Sequence, residues 1–143
     1  MLMPMAKNNS SSLARHGDVI PVIELWGHLL VPLQGDIGDR QMQEMIDDVL
    51  RRIAKRGAEG LLIDASGIWI VDSHLCAGLG RLATAASIMG VPSVLCGLSA
   101  EVVVTLQSMG FELTGVKTAT TLERALETLG VYVQKPRTEG VVR

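Results

Sequence analysis

The sequence predicts a single α/β domain with a mixed, mostly parallel sheet of four to five strands and about four helices. Three patterns carry that reading. Two short apolar runs, Val19 to Leu25 and Leu29 to Leu33, lie close together near the N-terminus. Unbroken apolar runs follow at Leu61 to Asp64 and Pro92 to Gly97, as expected of strands covered on both faces. Between and after them apolar residues recur at helical spacing. A hairpin followed by strand–helix alternation gives parallel later strands joined by right-handed crossovers. The chain has 143 residues, 48% hydrophobic but only 3% aromatic, so one core of Leu, Ile, Val, Met and Ala is expected.

Taken in order, residues 1–17 are polar, with Asn8, Asn9 and Ser10 to Ser12 in a row, and form an expected flexible lead-in. The folded domain is expected over 18–133 and a flexible tail over 134–143. Pro21 has no N–H to give a ladder, which places the first strand at an edge. Gly27 marks the turn into the second strand, which is expected to end near Pro32. Asp39 is the expected N-cap of a helix carrying Met42, Met45, Ile46, Val49, Leu50 and Ile53 inward, stopped by Gly57. After the strand at Leu61 a helix is expected from Ser73 to Met89, with Leu75, Leu79, Leu82, Ala86 and Met89 as its buried stripe. Ser99 caps a helix over Ala100 to Met109. A last extended piece is expected at Phe111 to Leu113 and Val116 to Lys117. Thr120-Thr121-Leu122-Glu123 reads as a capping box ahead of the final helix, which ends at Gly130.

Composition excludes several functions. Net charge is −2 with no dense basic run, so no nucleic-acid partner is expected. No apolar stretch approaches the ~20 residues of a membrane span, and the N-terminus has no apolar signal region. Cys76 and Cys96 lack metal-type spacing and fit a reducing, cytoplasmic setting. No metal, no cofactor and no catalytic residue are expected. Ser73 is not a nucleophile elbow, because Val71 and Leu75 stand where glycines are needed, and His74 points about 100° away on the helix turn. Gly78-Leu79-Gly80 lies inside a helix and cradles no phosphate. Asp64 and Asp72 together with Ser73 leave one alternative open, a small ligand-binding or enzymatic site at the carboxyl edge of the sheet; capping is the simpler role for both acids. Ser73 itself reads two ways. It is a bare first-turn residue, or it is a phosphoacceptor whose phosphate meets the positive end of the helix.

The run of strand, Asp64, loop, Ile70-Val71-Asp72-Ser73 and helix, set in this element order, resembles the STAS domain, the family of the anti-sigma-factor antagonists. Within it, Ile20-Pro21-Val22-Ile23-Glu24-Leu25, Leu29-Leu30-Val31-Pro32-Leu33-Gln34 and the stretch from Val94 to Leu106 resemble the small scaffold subunit of the bacterial stressosome. The resemblance implies a non-enzymatic phosphoprotein of stress-response signal transduction. It implies a scaffold that self-associates into a large assembly with larger STAS sensor paralogues and holds a switch serine/threonine kinase, released when Ser73 is phosphorylated. Thr84 and Ser87 are secondary phosphosite candidates. Asp72, Ser73, His74, Ala77, Gly78 and Arg81 are the expected partner-binding residues, because small side chains on this helix let a partner approach. A free anti-sigma-factor antagonist that binds an anti-sigma kinase is the other reading in the same family.

Overall fold

A computed structural model describes residues 19–110, 116–132 and 134. The lead-in, the extended piece expected at Phe111 to Leu113 and most of the tail lie outside them. Five strands and four helices alternate among the described residues. They are β1 (Ile23–Leu25), β2 (His28–Gly35), α1 (Asp39–Arg56), β3 (Leu61–Ile68), α2 (Ser73–Ile88), β4 (Ser93–Cys96), α3 (Ala100–Ser108), β5 (Lys117–Ala119) and α4 (Leu122–Thr128). They form one sheet in the order β1-β2-β3-β4-β5. The first pair is antiparallel and the other three are parallel.

The hairpin closes on two residues. Leu25 faces His28, and both residues between them have positive φ, 49° at Trp26 and 78° at Gly27. That is the turn whose twist suits two antiparallel strands, with a tryptophan in a position glycine or asparagine usually takes. The first strand is shorter than the apolar run predicts, because pairing begins only after Pro21. The second is longer and runs through Pro32 to Gly35. A register shift between Pro32 and Gln34 accommodates it: β3 carries one extra residue there, a bulge at the proline that cannot donate to the ladder.

The sheet divides the core into two unequal layers. Leu29, Val31, Leu33, Leu61, Ile63 and Leu95 face α1 and α2. On the opposite face Leu62, Val94 and Cys96 meet Ala125 and Leu126 of α4. α3 joins through Val102 and Leu106, which pack on Cys76 of α2. The alternation along β3 of residues facing the two layers explains why its sequence shows no polar face.

Three local expectations change. Gly38, not Asp39, is the N-cap of α1; its N–H donates to Gln41 Oε1 at 2.8 Å, so Asp39 becomes the first helical residue. Thr121, not Thr120, caps α4, accepting from Arg124 N at 3.2 Å. That shift leaves Glu123 one residue short of the position from which a capping-box carboxylate reaches back. Met89 is 41% exposed rather than buried. The helix stops at Ile88, and Gly90 at φ 81° turns Val91 into the core instead, its N–H bonded to Ala86 O.

Candidate functional site

Ser73 is the first residue of α2 and stands exposed. It is free to do so because Asp72 performs the capping. Asp72 Oδ1 accepts from Leu75 N at 2.8 Å, while the Asp72 carbonyl accepts from Cys76 N. The N–H groups of Ser73 and His74 have no carbonyl one turn behind them within the helix. The Ser73 hydroxyl thus sits at the positive end of a sixteen-residue helix with no structural duty of its own.

His74 and Asp39 meet here. His74 Nδ1 lies 3.3 Å from Asp39 Oδ1, with both side chains largely exposed. The contact links the first turns of α1 and α2, through residues 35 positions apart on the chain. No sequence spacing announces it; only the parallel crossovers bring two helix starts to one edge of the sheet.

Ser73, Ala77, Arg81 and Thr84 are all exposed and lie along one side of α2, with Ser87 exposed at its flank. Gly78 does not belong to that surface. It is buried, and a Cβ there would stand 2.5 Å from Met42 Cγ. Its small size serves the packing of α1 on α2, so the expectation that it contacts a partner is corrected: the close approach it permits is internal.

Asp64 takes a different direction from Asp72. It follows Leu62 by two on β3 and so shares the face covered by α4, where Cys96 is its register partner. Its Oδ1 accepts from Ser66 N at 3.0 Å. Asp72 caps a helix on the other face. No hydrogen bond joins Asp64 to Asp72 or Ser73 among the described residues, and the groove lined by Leu98, Val103, Leu106 and Tyr132 among others holds none of the three.

Both cysteines are buried and free. Burial, and secondarily the Asp72 carboxylate, push the Cys76 thiol up. Burial, then Asp64, push Cys96 up from 9.0 to about 11. Both are therefore thiols, poor ligands and poor nucleophiles, at neutral pH. Because the folded state holds the Cys96 proton more tightly than the unfolded state, its contribution to stability is complete below pH 9 and lost as pH rises through about 11. The loss is on the order of 2–3 kcal/mol. Urea unfolding across this range shows a falling stability in the wild type and a flatter dependence in Cys96→Ala.

What sequence reasoning missed lies just before Ser73. Trp69 is 73% exposed and Ile70 44%, an apolar pair in the connection from β3 to α2. A tryptophan in a loop of a chain with so few aromatics was the signal available.

A family model described as STAS domain matches residues 19–125. The RsbT co-antagonist protein RsbRB of Bacillus subtilis (strain 168) is 34% identical over 97 residues, 68% of this chain and 35% of that protein. RsbRC of the same organism is 32% identical over 128 residues, 85% of this chain and 45% of that protein. The chain thus spans less than half the length of either relative. Among solved structures, a Moorella thermoacetica RsbS variant superposes with a TM-score of 0.69 at 28% identity, covering 78% of this chain and 94% of that one. A chain from a study of the molecular architecture of the stressosome superposes at 0.66 and 27%, covering 77% and 96%. No helix among the described residues is long and apolar enough to cross a membrane.

Proposed function

The chain belongs to the STAS domain family, and from that membership we propose that it is a scaffold subunit of a stressosome-type assembly whose switch is Ser73. In this reading it packs with copies of itself and with larger STAS paralogues in the cytoplasm. It holds a serine/threonine kinase of the RsbT type while Ser73 carries a free hydroxyl, and phosphorylation of Ser73 lets that kinase go. The relatives named RsbT co-antagonists and the likeness to RsbS and stressosome structures support the setting.

The observation that carries the site is the division of labour at the start of α2. Asp72 caps and Ser73 is exposed. A phosphate on Ser73 adds about −1.5 to −2 charge where first-turn N–H groups and the helix dipole favour an anion. The domain therefore tolerates the modification without unfolding, and the change is felt at the surface. Thr84 and Ser87 lie three and four turns further along, beyond the reach of that dipole end.

Incubating the chain with ATP and the RsbT-type kinase of its own organism, followed by mass spectrometry, is expected to place one phosphate on the peptide carrying Ser73 and none on Ser73→Ala. Label on Thr84 or Ser87 instead, or undiminished label in the alanine variant, overturns the assignment.

A further inference from the structure

We infer that the kinase reaching Ser73 docks on the apolar ridge of Trp69 and Ile70, and that this ridge makes phosphorylation a desolvation switch. The inference rests on the reading of Ser73 as the phosphoacceptor.

The indole of Trp69 rests against the end of β2. A Cβ on Gly35 would stand 3.6 Å from Trp69 Cζ2, so the edge of the indole lies over the glycine that ends β2. Gly35 has φ 71°, a conformation that keeps a side chain out of that space. The ring lies against β2 on one side and is 73% exposed on the other. A large aromatic is the side-chain type most often found at the centre of a protein interface.

The occupant follows from size. A specific interface covers roughly 800 Å² on each partner, a disc of about 16 Å radius. Three residues separate Trp69 from Ser73, and even fully extended the four steps along the chain span at most about 14 Å. A partner centred on Ser73 therefore covers Trp69 and Ile70. Of the carboxylates around this surface, Asp72 accepts from Leu75 N–H and Asp39 lies opposite His74, while Glu101 of α3 is exposed and lines one groove with Trp69 and Ile70. Asp36 stands exposed on the loop between β2 and α1, at the rim, where a charge affects the rate of association more than its strength.

A socket that covers Trp69 and Ile70 removes water from the adjoining Ser73. A neutral hydroxyl loses its water at modest cost, but a phosphate dianion does not, unless a cation replaces that water. Release then comes from the hydration that the phosphate must keep. It requires no rearrangement of α2.

The test uses the full chain and the kinase that labels wild-type Ser73. Trp69→Ala is expected to raise the KM for the chain about tenfold or more with kcat within about twofold, and Trp69→Phe to recover most of the loss. The thermal midpoint stays unchanged, because the ring lies outside the core. Binding of the unphosphorylated chain is expected to vary less than about twofold between roughly 50 mM and 500 mM salt. An unchanged KM in Trp69→Ala, a steep loss of binding with salt, or a change in oligomeric state without a change in KM overturns the ridge as the kinase site; the last would assign it to a second copy of this chain. A wild type that takes up no phosphate refutes the Ser73 reading and the ridge with it, whereas a labelled wild type beside an unaffected Trp69→Ala refutes the ridge alone.

Discussion

Ser73→Asp binds the switch kinase at least about tenfold more weakly than wild type, and Ser73→Ala binds it within about twofold, when affinities are compared by calorimetry. Tenfold corresponds to about 1.4 kcal/mol. The loss comes from the water that a carboxylate at this position must give up to a docked partner, which a neutral hydroxyl surrenders at modest cost. The folded state is not the victim: an acid in the first turn of α2 gains about 0.3–1 kcal/mol from the helix dipole, so the thermal midpoint holds or rises slightly. A Ser73→Asp variant that binds as tightly as wild type would remove charge from the mechanism of release.

The second large effect lies at the end of β4. Gly97→Ala is expected to cost about 3 kcal/mol in unfolding free energy and to lower the melting temperature by roughly 10 °C. Gly97 has φ 78°, where an L side chain costs about 1–2 kcal/mol. A Cβ there would also stand 2.8 Å from Ser66 Cβ, 2.9 Å from Asp64 Oδ1 and 2.9 Å from Ser66 N. Two of those three atoms belong to a hydrogen bond, Ser66 N–H to Asp64 Oδ1, and cannot retreat without breaking it. Overpacking of this kind costs about 1–3 kcal/mol. A stability within about 0.5 kcal/mol of wild type in a urea titration would show that the turn after β4 yields more easily than its geometry implies.

Much of the domain could be read in advance because its signals are local or periodic. The unbroken apolar run at Leu61 to Ile63 is buried from both sides, as its lack of polar alternation predicts. Asp72 caps α2 and Ser99 caps α3 because short acceptor side chains at a helix start satisfy N–H groups two or three residues on. The exposure of Ser73 follows from that same local chemistry. What escaped depends on contacts between distant segments. Gly78 looks like any small residue on a helix, and only the arrival of Met42 on α1 turns it from surface into interior. His74 meets Asp39 through a crossover, not through spacing. Trp69 reads as one apolar loop residue among several until Gly35 is seen beneath it. Thr120 and Thr121 are adjacent candidates for one cap, and sequence pattern does not separate neighbours of equal chemistry.

The strand order has a consequence for how the domain comes into being. Strands succeed one another across the sheet as they do along the chain, so no strand must be threaded between two that are already paired. Leu29 and Leu61 are partners across β2 and β3, and Leu61 and Ser93 across β3 and β4; each pairing closes a loop of 32 residues. Successive closures of equal length carry nearly equal entropic costs. During synthesis the sheet can then be laid down from the hairpin edge, each helix covering the strand before it as the next emerges. The edge that stays open longest is the one that receives β5. A ribosome stalled after β3 would hold a nascent hairpin, helix and strand with Leu62 still facing water, because α4, which covers it, is the last of the described elements to be made.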